Sequence, residues 1–274
     1  LLDYSGGTGI LANRLLSNLG KNSDLGILIV DSSPKFLRLA IEKLKSDPRV
    51  AYRLINFKKE ERRLEYLHEV IEEDLYEKGI DIISSTNAIH LYYNLKETLE
   101  SWKKILRPGG RIYVQSGNIN NPEAEKDGWI IDESVLKINE AALKIVSKDD
   151  RFSKYRSSLE DKSYMDAHDK LREKYFLPVR TIKFYKDLFK EVGLKEVSCE
   201  YHSIEATVKD WYEFINVYHE GVIGWVGGSK KVTGKECEPQ CIEDRLTLIR
   251  EGMKETFSNQ DTFKAVWNYF ILEK

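Results

Sequence analysis

Along residues 1–117 the apolar positions change period repeatedly. Short unbroken apolar runs alternate with stretches in which apolar residues recur every three or four places. Residues 1–4 read as the tail of a strand and lead into the glycine cluster of residues 5–9. Leu11, Leu15, Leu16 and Leu19 then share a helical face closed by Gly20. Residues 25–31 are a continuous β-rich run. Residues 33–47 predict a helix opened by Ser33 as N-cap and Pro34 at its first position. A third strand is predicted over 50–56 and a helix over 58–78, from Leu64, Leu67, Val70, Ile71 and Leu75; its charges, Glu60 to Arg63 and Glu72 to Asp74, read as a solvated face. Residues 79–85 predict a fourth strand. Leu95, Leu99, Trp102 and Leu106 predict a helix stopped by Arg107-Pro108-Gly109-Gly110, and residues 111–116 a fifth strand. Short apolar strands alternating with helices predict an α/β fold with a doubly wound, mostly parallel sheet.

The second half is patterned differently. Residues 118–178 contain no convincing strand; 132–147 are helical, and 150–175 are charged and carry Tyr155, Tyr164 and Tyr175. A helical insertion joined after the fifth strand reads as a substrate lid, favoured by where it joins the sheet over a solvated helical decoration. Tyr185, Leu188, Phe189 and Val192 predict a helix over 181–192, stopped at Gly193. Residues 194–206 and 262–274 alternate as strands. Between them, 210–257 form a second insertion holding Trp211, Tyr218, His219 and Trp225, then Gly227, Gly228 and Ser229. These aromatic residues suit a pocket wall or, equally, a small hydrophobic core. The resulting division is a cofactor-binding core over 1–117, a lid over 118–178, the end of the core sheet over 179–209 and 258–274, and a second insertion over 210–257.

Composition narrows the function classes. The 274 residues include 43 basic and 45 acidic side chains, a net charge of -2, and are 41% hydrophobic. That is too apolar for a disordered chain and too balanced for a dedicated nucleic-acid grip. The longest apolar runs fall far short of the ~20 residues needed to cross a bilayer. Neither nucleic acid nor membrane is therefore expected as a partner. Three cysteines are too few for a disulfide framework, and a reducing, cytoplasmic setting is expected. Cys237 and Cys241 lack the usual zinc spacing and read as a structural thiol pair, with no metal expected. The chain starts without Met where a strand is already under way, so some preceding sequence is expected to be missing.

The glycine cluster carries the chemistry. Gly7 and Gly9 permit positive φ and close approach of a ligand to the backbone, the following helix start offers unsatisfied N–H groups, and Asp31 ends the second strand where it can accept from a ribose diol. Any adenosine cofactor suits this plan. Gly7-Thr8-Gly9-Ile10-Leu11-Ala12, with Asp31 about twenty residues on, also fits the dinucleotide fingerprint of an NAD(P)-dependent oxidoreductase. Such an enzyme would use a Tyr-x-x-x-Lys pair or another proton donor, and none stands out: Leu159 occupies the fourth place after Tyr155.

The sequence D-Y-S-G-G-T-G resembles the first motif of class I S-adenosylmethionine-dependent methyltransferases, D/E-x-G-x-G-x-G, with Asp3 as the acid, Gly7 and Gly9 as the last glycines, and Ser5 in place of the first. ILIVDSSPKFLRLA resembles the second-strand motif, with Asp31 at the ribose position. RLINF ends the third strand where the family often has an acid near adenine; Asn56 stands there beside Phe57. IDIISSTNAIHLYYNL and LRPGGRIYV resemble the fourth- and fifth-strand motifs, and TIKFYKDLFKEVGLKEV gives a weaker match.

The resemblance implies a seven-stranded sheet with an antiparallel C-terminal hairpin, and S-adenosyl-L-methionine as cofactor, with S-adenosyl-L-homocysteine as product. It implies cofactor contacts from Asp3, Tyr4, Ser5, Gly6, Gly7, Gly9, Asp31, Ser32, Asn56, Phe57, Ser85 and Thr86. His90 would lie near the transferred methyl, as catalytic group or as a residue that caps or packs on its neighbour. Tyr93, Trp211, Tyr218 and Trp225 are candidate substrate contacts. Methyl transfer from a sulfonium is an in-line displacement, so the protein mainly aligns the reactants, and a base is needed only where the nucleophile holds its proton. Ser85-Thr86-Asn87-Ala88 replaces the Asn/Asp-Pro-Pro-aromatic tetrad of methyltransferases acting on nucleic-acid and protein nitrogens. The expected acceptor is therefore a small molecule, methylated on O, N or C; a non-catalytic S-adenosylmethionine-binding protein is the other reading.

Overall fold

A computed structural model describes residues 1–20 and 23–274. The elements used below are, in chain order, β1 (Leu2–Tyr4), α1 (Ile10–Leu19), β2 (Ile27–Asp31), α2 (Pro34–Leu44), β3 (Val50–Leu54), β4 (Ile80–Thr86), α3 (Leu95–Ile105), β5 (Leu106–Ser116), α4 (Ile131–Lys148), α5 (Lys162–Tyr175), α6 (Ile182–Val192), β6 (Lys195–Thr207), α7 (Val208–Asn216), α8 (Pro239–Thr256) and β7 (Thr262–Glu273). The chain divides into two compact units: Leu1–Ile119 with Arg180–Tyr201 and Asn268–Lys274, and Asn120–Val179 with His202–Trp267.

The first unit is built on the sheet, with strand order β6-β7-β5-β4-β1-β2-β3. β1 pairs in parallel with β2 and β4, β2 with β3, and β4 with β5, while β7 runs antiparallel to β5. The mostly parallel sheet expected from the alternation, and the seven strands that the resemblance implies, are thus present. Ile27 and Ile29 of β2 pack with Ala12 and Leu16 of α1 and Leu37, Ala40 and Leu44 of α2. A separate cluster joins Leu2, Val30, Ile83 and Ile112 to Leu99 and Trp102 of α3 and Tyr185 and Phe189 of α6. Both faces of the strands are covered, which is why they read as unbroken apolar runs. The chain travels outward from β1 to β3 and then returns to place β4 on the other side of β1. In sheets of this topology the carboxyl ends of the strands flanking such a reversal, here β1 and β4, are the usual ligand position.

One expected element is different. The 58–78 stretch is not a single helix. Phe57–Lys58 and Arg63–Leu64 pair as an antiparallel ribbon, followed by short helices at Leu67–Val70 and Glu73–Lys78. Arg62 turns the ribbon with a φ of 54°. Arg63 donates to Glu61 and Glu69, and Lys58 reaches Glu69 at 2.9 Å. These charges are therefore a ribbon-spanning ion-pair network rather than the solvated face of a helix. The third strand also stops at Leu54, two residues early, and β5 begins earlier than expected, at Leu106.

In the second unit the two insertions that look separate in sequence share one core. Ile131, Val135, Ile138 and Val146 of α4 cluster with Leu248, Ile249 and Met253 of α8, and Trp211 and Trp225 join them. A Cβ on Gly252 would sit 3.0 Å from the Ile138 carbonyl, so glycine here lets α8 approach α4 closely. Among the described residues no helix is long and apolar enough to cross a membrane.

Candidate active site

The loop leaving β1 is shaped by left-handed turns at Ser5 (φ 59°), Gly7 (φ 56°) and Gly9 (φ 71°), the last serving as N-cap of α1. The Gly6 N–H donates to the Val30 carbonyl at 3.1 Å, tying the loop to the end of β2. Gly6 has no room for a side chain: a Cβ would lie 2.7 Å from Asp3 Oδ2 and 3.0 Å from Ile29 Cγ2. Asp31 is buried, and its two oxygens accept from the N–H groups of Gly7 (2.9 Å) and Ser33 (2.8 Å).

Asp3 is 1% exposed. One oxygen accepts from the Ser84 hydroxyl at 2.9 Å; the other, Oδ2, accepts no hydrogen bond among the described residues. Burial pushes its carboxyl up to about 6 against the pull of Ser84, and the neighbouring Asp31 raises it further. A buried acceptor without a donor is uncommon and marks the place where an additional donor would be most stabilised.

Ser5, Ser85 and Tyr92 form a chain of hydroxyls. Tyr92 donates to Ser5 Oγ at 3.0 Å, and Ser85 Oγ lies 3.0 Å from Tyr92 Oη. Burial holds the Tyr92 phenol well above its ordinary range, so it keeps its proton. Tyr92 packs edge-on against Tyr4 and Trp102, and its carbonyl accepts from Arg180 at 2.8 Å. Nothing in the local sequence pattern marks the contact of Tyr92 to Ser5.

Tyr4, Phe57, Leu64, Tyr66, Tyr92 and Tyr93 line a cavity of about 440 Å³ together with Arg63 and Glu65. Phe57 is largely exposed within it. Asn56 is turned to Glu65, which accepts from both its backbone N–H (2.8 Å) and its side-chain amide (3.1 Å). Ser32 and Thr86 lie on the exposed surface at the ends of β2 and β4, and Ser85 is fully buried.

His90 is buried in a short helix after β4, with Nδ1 2.9 Å from Ser116 Oγ. Burial, aided by the Arg180 guanidinium, pushes its imidazole down to about 4, so it is neutral at pH 7. Of the aromatic candidates, Tyr93 lines the cavity. Trp211 and Trp225 belong to the core of the helical unit, their indole N–H groups donating to Ser134 Oγ (3.0 Å) and Asn139 Oδ1 (2.9 Å). Tyr218 packs edge-on to Phe176 and Phe214 in the same unit. The structure therefore gathers Asp3, Tyr4, Asp31, Ser85 and the glycine loop around the ends of β1, β2 and β4. It gives Trp211 and Trp225 the core role that was the second of their two readings.

Comparison with known proteins bears on the same region. Residues 2–112 match the family model described as a methyltransferase domain. The hybrid PKS-NRPS synthetase pydA of Acremonium sp is 27% identical over 131 residues, which are 48% of this chain and 3% of that protein. The chain thus spans about 3% of the length of the curated relatives it matches. Two solved structures share the fold across 100% of this chain. A Bacillus halodurans C-125 protein assigned as a methyltransferase is 13% identical, with 91% of its chain covered and a TM-score of 0.53. A Galdieria sulphuraria protein assigned as a sarcosine dimethylglycine methyltransferase is 13% identical, with 77% covered and a TM-score of 0.51. Residues 2–112 thus match a methyltransferase domain, within a seven-stranded sheet whose first strand leads into the glycine loop.

Proposed function

We propose that this chain transfers a methyl group from S-adenosyl-L-methionine to an oxygen, nitrogen or carbon nucleophile of a small molecule, releasing S-adenosyl-L-homocysteine. The observation that carries the reading is the buried, unpartnered Asp3 Oδ2 beneath a loop in which a Gly6 Cβ would collide with it. An ammonium donor such as the cofactor's amino-acid end would satisfy that atom, and glycine at position 6 lets the loop lie close over it. The residues present therefore fit the cofactor. Asp3, Tyr4, the loop residues Ser5, Gly6, Gly7 and Gly9, and Asp31 with Ser32 would hold it, along with Asn56, Phe57, Ser85 and Thr86.

When bound, the sulfonium supplies both the methyl group and its leaving group. The chain supplies alignment. The strained, braced loop is preorganised, so little entropy is lost in ordering it. His90, neutral and with a conjugate acid near 4, is a weak base at pH 7 and is better suited to orienting an acceptor than to deprotonating it. Tyr93 is the aromatic residue best placed to contact the acceptor, from the wall of the cavity. The synthetases among the relatives and the sarcosine dimethylglycine methyltransferase among the fold neighbours are in keeping with a small acceptor.

Titrating the protein with S-adenosyl-L-homocysteine and with NAD tests the cofactor. Micromolar binding of the nucleoside thioether and none of NAD is expected; tight NAD binding alone overturns the reading in favour of an oxidoreductase. A labelled methyl-transfer screen against a metabolite extract tests catalysis, and binding without turnover on any fraction assigns the chain to a non-catalytic role.

A further inference from the structure

Ser5 stands in the left-handed region at a φ of 59°, where an L side chain is strained and where the family motif carries glycine. Something must hold it there. Its backbone neighbour Gly6 is tied to Val30, but the Ser5 side chain has one partner among the described residues, the hydroxyl of Tyr92 at 3.0 Å, across 87 residues of sequence. Tyr92 is in turn fixed at three points: Ser85 Oγ lies 3.0 Å from its hydroxyl, Arg180 donates to its carbonyl at 2.8 Å, and its ring packs edge-on against Tyr4 and Trp102. A protonated phenol that donates to Ser5 accepts from Ser85, so the three hydroxyls form a directed chain from the end of β4 to the turn after β1.

We infer that Tyr92 is a positioning residue whose hydroxyl locks Ser5 in the left-handed turn that opens the cofactor loop, replacing by a side-chain hydrogen bond the conformational freedom that glycine would bring. This rests on the methyltransferase reading above and adds a residue outside the glycine motif to the cofactor site. Because the strain belongs to the Cβ of Ser5, the need for Tyr92 should vanish when that Cβ is removed.

The test is a cycle of S-adenosyl-L-homocysteine dissociation constants for the wild type, Tyr92→Phe, Ser5→Gly and the double variant. Losing one neutral hydrogen bond should weaken binding about fivefold in Tyr92→Phe. In the Ser5→Gly background the same change should alter binding by less than about twofold, since glycine needs no lock. Ser5→Ala provides a second route should Tyr92→Phe fold poorly: it keeps the strain and loses the hydroxyl, so it should weaken binding as Tyr92→Phe does, while Ser5→Gly should not. An equal loss from Tyr92→Phe in both backgrounds, or equal affinities of Ser5→Ala and Ser5→Gly, overturns the inference and leaves the cofactor assignment standing. A wild type that binds no S-adenosyl-L-homocysteine overturns both.

Discussion

The carboxylate of Asp31 accepts the N–H of Gly7 at 2.9 Å through one oxygen and the N–H of Ser33 at 2.8 Å through the other. The end of β2 therefore braces the loop that leaves β1 and, at the same time, the N-cap residue of α2. The position that family resemblance assigns to a ribose contact is thus a structural tie, and each oxygen has a further lone pair for the proposed ribose contact.

Replacing Asp31 by Ala removes a carboxylate acceptor from two half-buried backbone donors. Each charge-assisted bond is worth about 1.5–3 kcal/mol. The expected result is a loss of unfolding free energy of about 2 kcal/mol or more, together with a several-fold to hundredfold rise in the S-adenosyl-L-homocysteine dissociation constant. Urea unfolding and calorimetric titration on the same samples separate the two. An unchanged dissociation constant with reduced stability would mean that Asp31 braces the loop and does not contact the ribose.

Asp3 predicts a pH dependence of definite sign. Its folded carboxyl is raised from 3.8 to about 6, so the folded state holds its proton more tightly than the unfolded state. By linkage, this group's contribution to stability falls as pH rises from about 4 to about 6 and stays low above that. Asp3→Asn keeps a partner for Ser84 and removes the buried charge. Relative to the wild type it should gain stability between pH 4 and pH 7, by about 1–3 kcal/mol. Unfolding midpoints of both proteins at the two pH values check this, and a difference that does not change with pH would show that Asp3 titrates normally. The same variant should bind the cofactor more weakly, since it loses the acceptor proposed for the ammonium group.

Much of the first unit was legible because its strands are covered on both faces and so appear as apolar runs closed by glycine or proline. Gly20 and Gly193 punctuate it where helices end. The loop residues around Asp3, Gly7 and Asp31 were legible for the same reason, since their spacing is fixed by strand ends. Residues 57–66 were not, because leucines at helical spacing mask a ribbon whose stability comes from Lys58, Glu61, Arg63 and Glu69 meeting in space. Tyr92 was not legible as a lock, since one hydroxyl contact to a distant residue leaves no periodic trace. Trp211 and Trp225 needed Ser134 and Asn139 opposite them before core could be told from pocket wall.

The helical unit offers a separate test of buried polar satisfaction. The Arg245 guanidinium is fully buried; its Nε donates to the Val226 carbonyl at 2.7 Å and its Nη2 to the carbonyls of Gly228 (2.6 Å) and Gly224 (3.3 Å). Arg245 thus supplies donors to a turn whose positive-φ glycines, Gly227 and Gly228, form no helix to satisfy those carbonyls. Arg245→Met should cost about 3 kcal/mol, because it leaves several buried acceptors unpaired. Lysine, a point donor without the guanidinium fork, should recover only part of this. Chemical unfolding monitored by tryptophan fluorescence is the measurement, and a Met variant as stable as the wild type would show that the turn rearranges to satisfy itself.

His90 carries the opposite pH sign to Asp3, and its proposed role is to orient the acceptor. Its imidazole is lowered from 6.5 to about 4, so between these values the unfolded chain binds the extra proton and the folded chain resists it. Stability from this group is complete above about 6.5 and is lost as pH falls towards 4, by up to about 3 kcal/mol. His90→Gln should flatten that acid limb in unfolding experiments. In turnover, a neutral His90 that orients the acceptor yields a rate with no ionisation near 6.5, and His90→Gln should lower kcat about tenfold while changing the S-adenosyl-L-homocysteine dissociation constant by less than about twofold. A wild-type kcat profile rising through pH 6.5–7, with the rise abolished in His90→Gln, would instead make His90 a general base whose imidazole is raised once the acceptor is in place. The pair His90–Ser116 would then have to open on binding, since a base needs its ring nitrogen turned to the nucleophile rather than held in the core.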